Sequence, residues 1–352
     1  VPLTLLGLEQ DHDFAVVEMG ANHMGEIAYT TGLVKPDVAI INNIAAAHLE
    51  GFGDLCGVAR AKGEIFEGLP PNGVAIYNQD CKYVSKWQWR LVDKTIRSFS
   101  CKKPCRASIK ETVSIFSSAI TLDGHGRARF QLTTPIGDTY IQLTVPGIHN
   151  VCNAVAAAAI ALEFGATLAD IQLGLADMMP VKGRLNLYQL DDNCKLIDDS
   201  YNANVESIKA ATDLLAGYAG KRILILGDMA ELGSVARSYH QEVGEYARIK
   251  GIDTLLTLGV LSQSSSDAFN GTDKGQVSAD VMQSLNMGKG KVSQHFSSRE
   301  QLFLSLQQLL AEESEPIAIL VKGSRSAHME HVVEKIIAWR THDASKVTEV
   351  KL

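Results

Sequence analysis

The feature that most constrains this chain is the alternation in its second half. Short continuous apolar runs at residues 196–198, 222–226, 253–258, 292–296 and 317–321 are separated by stretches of helical length at 205–216, 238–250, 299–311 and 327–339. An apolar run without polar alternation predicts a strand covered on both faces, and strands that alternate with helices predict a mainly parallel sheet. Ser298 and Gln301 predict a capping box at the start of the third helix. The segment from about Gly183 to 340 therefore reads as a doubly wound, Rossmann-like domain, followed by a polar, frayed tail at 341–352.

The first 182 residues are organised differently. Runs rich in β-branched and apolar residues at 14–17, 38–41 and 73–77 predict buried strands. Glu18 and Asn42 then fall at carboxyl ends of strands, the edge at which open α/β sheets bind ligands. From 108 to 145 the pattern turns to alternation, with turn signals at Asp123-Gly124 and Ile136-Gly137-Asp138, and predicts an antiparallel meander attached to the parallel sheet. Asn150 is expected to cap an Ala-rich helix over 151–164 that Gly165 ends, and Thr167 with Asp170 predicts a capping-box start for the next. Close packing accounts for the alanines of that helix but not for His149, Asn150 and Asn153 at its start.

Three short stretches carry chemistry: Glu18-Met19-Gly20-Ala21-Asn22-His23, the run from Asn42-Asn43 to His48-Leu49-Glu50, and Ala61-Lys62-Gly63-Glu64. A carboxylate, an imidazole and a lysine so placed predict a metal-assisted phosphate site at one end of a parallel sheet. Each also has a plainer reading. Glu18 is then a solvated loop residue, His48 a hydrogen-bonded structural histidine, and Lys62 a surface lysine pairing Glu64. Arg184 becomes a linker salt bridge, and Asn204 no more than the N-cap of the helix at 205–216.

Composition narrows the classes. With 352 residues, 46% of them hydrophobic, the chain is long enough for two cores, and its mean hydropathy is +0.02. No apolar run approaches the roughly 18 residues needed to cross a bilayer, and Val1 opens no signal-peptide pattern, so a cytoplasmic location is expected. A net charge of −7 argues against a nucleic-acid binder, so anionic substrates must be held by a few local cations, metal ions and helix N-termini. Cys56, Cys81, Cys101, Cys105, Cys152 and Cys194 show no paired framework and read as free thiols. A nicotinamide oxidoreductase would need G-x-G-x-x-G after a strand, and Leu226-Gly227-Asp228-Met229-Ala230-Glu231-Leu232-Gly233 lacks the second glycine.

Together with Gly147-Ile148-His149-Asn150, Lys182-Gly183-Arg184, Asp198-Asp199-Ser200-Tyr201-Asn202-Ala203-Asn204 and Val321-Lys322-Gly323-Ser324-Arg325-Ser326, these stretches resemble the Mur ligases. Those are ATP-dependent amide-forming enzymes of bacterial peptidoglycan precursor synthesis. The 226–233 and 321–326 blocks resemble the branch that joins D-alanyl-D-alanine to a UDP-N-acetylmuramoyl-tripeptide. The resemblance implies a P-loop-NTPase-like central domain over 1–182, with a mixed, mainly parallel sheet, and a C-terminal Rossmann-like domain over 183–340. It implies ATP and Mg²⁺ as cofactors, an acyl-phosphate intermediate and a monomer.

The same resemblance implies roles. Glu18 and His48 hold Mg²⁺, and Lys62 is carbamylated to support a second metal, so that Lys62, His48 and Arg184 are the catalytic set. Asn150 and Asn153 lie near the adenine, with Arg184, Asp199 and Asn202 also in the nucleotide site. Asn204, Lys322, Ser324 and Arg325 meet the substrate, the last three through the dipeptide carboxylate. One departure is large: the family carries a Gly-rich phosphate loop and a uridine-nucleotide domain upstream of the segment corresponding to Val1, and no G-x-x-x-x-G-K-[ST] occurs in the 352 residues. The sequence reads as an N-terminally truncated ligase, expected to fold and not to ligate alone. A non-catalytic binding module descended from a ligase is the alternative.

Overall fold

The structure is a computed structural model that describes residues 1–46, 49–103, 115–271, 291–311 and 313–340, and the backbone of 348–349. His48, Cys105 and the start of the expected meander lie outside the described residues. The chain forms two compact units, one of residues 1–123, 127–144 and 148–178, the other of 124–126, 145–147 and 179–352.

In the first unit α1 (Pro2–Leu6) and α2 (Glu26–Val34) precede β1 (Val38–Ile41), and α3 (Leu49–Phe52) and α4 (Leu55–Gly63) follow it. Then come β2 (Val74–Asn78), β3 (Thr95–Ser100), β4 (Ile115–Leu122), β5 (Arg127–Thr134), β6 (Gly137–Pro146), α5 (His149–Glu163) and α6 (Leu168–Ala176). The sheet runs β1-β2-β3-β4-β5-β6, parallel from β1 to β4 and antiparallel from β4 to β5, so the meander extends a parallel core. Ala154, Val155, Ala158 and Ala159 of α5 belong to one buried cluster with Ile76, Phe99, Phe130 and Leu143, where methyl side chains let the helix approach the sheet closely.

Three expectations fail here. Residues 14–17 form no strand: Phe14 and Val16 are exposed, and among the described residues β1 is an edge strand paired with β2 alone. A Val-rich run becomes a strand only where a ladder partner takes its amides, so Glu18 sits on exposed irregular chain rather than at a strand end. Asn150 lies inside the first turn of α5, whose N-cap is Ile148, whereas Thr167 and Asp170 do make their capping box. Cys101 and Cys152 are bonded as a disulfide, with Cα atoms 4.7 Å apart, and are not free thiols; Cys56, Cys81 and Cys194 are free. The end of β3 and the first turn of α5 bring that pair together from 51 residues apart, which spacing in the sequence does not reveal.

The second unit contains β7 (Asn186–Asp191), β8 (Cys194–Asp199), α7 (Val205–Ala216), β9 (Lys221–Gly227), α8 (Ala236–Ile249) and β10 (Thr254–Leu258). It continues with α9 (Gln263–Asn270), β11 (Val292–Phe296), α10 (Arg299–Ala311), β12 (Ile317–Lys322), α11 (Glu330–Arg340) and β13 (Thr348–Glu349). The sheet order is β11-β10-β9-β12-β8-β7-β13, parallel from β11 to β8, with β7 and β13 antiparallel at one edge. Successive strand residues point to opposite faces, and both faces are buried. Ile197, Leu224, Leu226 and Leu320 join one core, while Leu196, Ile223, Ile225 and Ile319 join the other.

All five strands expected in this unit form, and the sheet is the doubly wound one. β7 escaped prediction because its sequence, Asn-Leu-Tyr-Gln-Leu-Asp, mixes polar and apolar residues, as an antiparallel strand can. Part of the tail is not frayed, since Thr348–Glu349 pairs with Gln189 and Tyr188. The last helix starts at Glu330, because His328 takes the left-handed conformation (φ 49°) after a single 3₁₀ turn at Arg325–Ala327. Among the described residues no helix is long and apolar enough to cross a membrane.

Candidate active-site residues

In the first unit, two carboxylates organise the chain at the start of α2. Glu64, only 4% exposed, accepts from the Gly25 amide at 2.9 and 3.0 Å and from Ala28 at 3.1 Å. Amides at a helix start have no partner within the helix, and a carboxylate there also meets the positive end of the helix dipole. Glu26 accepts from Asn22 at 2.8 Å and His23 at 3.3 Å, and these backbone donors hold its carboxyl below the usual range. Gly51 closes the arrangement: a Cβ there would lie 1.8 Å from the Asn22 carbonyl oxygen.

Lys62, near the end of α4, is half-buried. Burial pushes its amine down from the usual lysine value, and the nearby Glu18 carboxylate opposes the shift. The plainer pairing of Lys62 with Glu64 does not occur, because Glu64 caps α2. Asn42, just past β1, donates to Asn153 Oδ1 at 2.8 Å, and Asn153 Nδ2 donates to Asn150 Oδ1 at 3.0 Å. Asn42 Oδ1 is buried and has no partner among the described residues. The two asparagines at the start of α5 thus join a third at the carboxyl edge of the sheet.

In the second unit Asp199 and Lys322 end β8 and β12 in register. Lys322 Nζ lies 2.6 Å from Asp199 Oδ2 and donates to the Asn202 carbonyl at 2.8 Å. Burial pushes the Asp199 carboxyl up, while the Lys322 ammonium and Arg184 pull it down. The Lys322 side chain is 3% exposed and holds the 199–202 turn. Asn204 is the N-cap of α7, its Oδ1 accepting from Ser207 at 2.8 Å. Asn202 Oδ1 accepts from Ala203 at 2.8 Å.

Arg184 stacks over Tyr201 with its guanidinium carbon 4.6 Å from the ring centroid, and Arg325 approaches the same ring at 6.0 Å. Tyr201 therefore gathers both arginines, a role that sequence reasoning missed although the residue lies inside a quoted motif. Arg325 is exposed and donates to Glu330 at 3.0 Å, whereas Ser324 is buried beside Ser326, their hydroxyls 3.1 Å apart. Gly227 and Gly323 let the ends of β9 and β12 meet under Met329, whose side chain a Cβ on either would strike.

Two further residues went unassigned. Asp228 accepts from the Val260 and Ser262 amides at 2.9 and 2.7 Å. Burial alone would raise its carboxyl, but these donors hold it below the usual range. It lines a cavity of about 490 Å³ at the carboxyl edge, together with Ser298, Arg299 and Ser326. Arg299 Nε is buried without a partner among the described residues, while its Nη2 donates to the Ala327 carbonyl at 3.4 Å. The signal for Asp228 was its position just after β9, and for Arg299 its position at a helix start.

Comparison with known proteins identifies the family. The Mur ligase middle domain family matches residues 1–161, and the Mur ligase glutamate ligase domain family matches 183–325. The UDP-N-acetylmuramoyl-tripeptide–D-alanyl-D-alanine ligase of Escherichia coli K12 is 45% identical over 336 residues, which cover 96% of this chain and 68% of that protein. The MurF crystal structure from Acinetobacter baumannii superposes with a TM-score of 0.82 at 33% identity, covering 96% of this chain and 67% of the other. The fold is shared with MurF of Thermotoga maritima in complex with ADP, at a TM-score of 0.77 and 22% identity over 96% of this chain and 70% of that one. The chain spans about two thirds of the length of these relatives. It belongs to the Mur ligase family of amide-forming ligases, within the group of UDP-N-acetylmuramoyl-tripeptide–D-alanyl-D-alanine ligases.

Proposed function

We propose that this chain supplies the central and C-terminal domains, meeting near residues 182–183, of an ATP-dependent ligase that joins D-alanyl-D-alanine to UDP-N-acetylmuramoyl-tripeptide. The observation that carries this reading is the 45% identity to such a ligase across 96% of the chain. In the reaction ATP phosphorylates the tripeptide carboxylate, the dipeptide amine attacks the acyl carbon, and phosphate leaves. Negative charge grows in both steps, so fixed cations and hydrogen-bond donors do most of the catalysis.

The residues present fit the nucleotide and the metal. Asn42 Oδ1, buried beside Asn153 and unpartnered among the described residues, is an acceptor suited to an adenine amino group. Arg184, braced by Tyr201, offers the planar fork that phosphate oxygens take up bidentately. Glu18 offers the hard carboxylate oxygen that Mg²⁺ prefers. Bound Mg²⁺ would neutralise phosphate charge. Lys62 is suited to carbamylation because burial favours its neutral amine: the nitrogen bonds to the carbon of CO₂, a proton leaves to solvent, and a lysine becomes an anion.

Asp199 and Asn202 sit in the turn that Lys322 holds, and Ser324 and Arg325 lie at the end of β12 beside the cavity wall of Ser326 and Arg299. We assign the dipeptide carboxylate to this edge. The 352 residues contain no Gly-rich phosphate loop, so we infer that they do not ligate unaided. Ligation assays on the chain alone, and on the chain joined to the phosphate-loop and uridine-binding segments of a relative, test both statements. Product is expected only from the joined protein and is lost in its Lys62→Ala variant. A folded joined protein that forms no product overturns the proposed activity, and full-rate ligation by the chain alone overturns the dependence.

A further inference from the structure

The start of α11 gathers two imidazoles and a carboxylate that the ligase reading leaves unused. We propose that His328, Glu330 and His331 form a site for a borderline transition-metal dication such as Zn²⁺, distinct from the residues assigned to Mg²⁺. One donor atom from each residue lies within 4.8 Å of the other two. Two imidazole nitrogens and one carboxylate oxygen are a zinc-type donor set, whereas Mg²⁺ takes oxygen ligands almost alone.

The surroundings orient these donors. His331 Nδ1 lies 3.4 Å from Glu334 Oε2, and His328 Nδ1 lies 3.4 Å from Glu330 Oε1. Glu334 faces His331 at Nδ1 and leaves its Nε2 bare, as in metal-binding histidines, whereas His328 turns Nδ1 itself toward Glu330, at a separation that one shared ion can span. The two rings stack, with centroids 6.1 Å apart at 27°, and both are exposed enough to turn toward a common ion. The turn at His328, with φ 49°, is what sets its side chain beside the first turn of α11.

Glu330 supplies an independent reason. Its Oε1 accepts from Arg325, but its buried Oε2 has no donor from any other described residue. A buried carboxylate oxygen without a donor is costly, and a coordinated cation would complete it. Arg325 competes for the same carboxylate, so occupation of the site and the Arg325–Glu330 pair oppose each other.

Isothermal titration of the purified, untagged chain with ZnCl₂ tests the site. One equivalent is expected to bind, and His328→Ala and His331→Ala should each weaken that binding at least about tenfold without shifting the melting temperature of the zinc-free protein. Arg325→Ala should tighten it by removing the competing cation. Absence of zinc binding overturns the proposal. So does binding that both histidine variants retain within about twofold, because the ion would then sit elsewhere, for example on the free cysteines.

Discussion

Lys322 and Asp199 face each other across the carboxyl ends of two adjacent parallel strands, Nζ to Oδ2 2.6 Å, and the same ammonium clasps the Asn202 carbonyl. Removing one partner of a buried pair strands the other charge, at a cost of about 3–5 kcal/mol, whereas removing both leaves neither stranded. Lys322→Met should therefore lower stability to denaturant by an amount in that range, and the Lys322→Met/Asp199→Asn double variant should regain much of it. A single variant as stable as the parent would show that the pair does not anchor the 199–202 turn.

Glu64 ties α2 to the end of α4 through three backbone contacts. Glu64→Ala should destabilise the chain by about 1.5–3 kcal/mol, the range for a lost charged hydrogen bond. Amide exchange at Gly25 and Ala28 should quicken, and Glu64→Gln should fall between the two. Unchanged protection at both amides would remove Glu64 from this role.

Asp198 is 2% exposed, and burial raises its carboxyl, with only Ser200 donors and Lys182 opposing. A carboxyl whose folded pKa lies above its unfolded value favours the native state below the unfolded pKa. That contribution is lost as pH rises through the folded value. Asp198→Asn should therefore raise the melting temperature at pH 7.5, and the gain should shrink as pH falls toward 4. A gain that grows on acidification would reverse the assigned direction.

Arg299 lines the cavity at the sheet edge, its buried Nε without a partner among the described residues, while Arg325 stands exposed and paired with Glu330. In the joined ligase, Arg299→Ala should raise the dipeptide KM roughly ten- to hundredfold, equivalent to about 1.5–3 kcal/mol, and leave the ATP KM nearly unchanged. Arg325→Ala should act in the same direction. If only Arg325→Ala does so, the carboxylate lies at the Tyr201 side of the edge rather than in the cavity.

The sequence by itself determined the parallel core of the second unit, but not β7, α9 or β13. Continuous apolar runs such as Ile223–Leu224–Ile225–Leu226 can be buried only on both faces of a sheet, and Asn204 and Thr167 start their helices by bonds to residues three positions on. Those are local interactions, legible from spacing alone. Tertiary structure decided the rest, because each case depends on a partner far along the chain. Residues 14–17 have strand composition and no strand to pair, and Glu64 finds its acceptor role 39 residues away rather than with its neighbour Lys62. Lys322 meets Asp199 across 123 residues, and Cys101 meets Cys152 across 51. Burial then sets which charges are paired and which are free, and no pattern in one dimension carries that information.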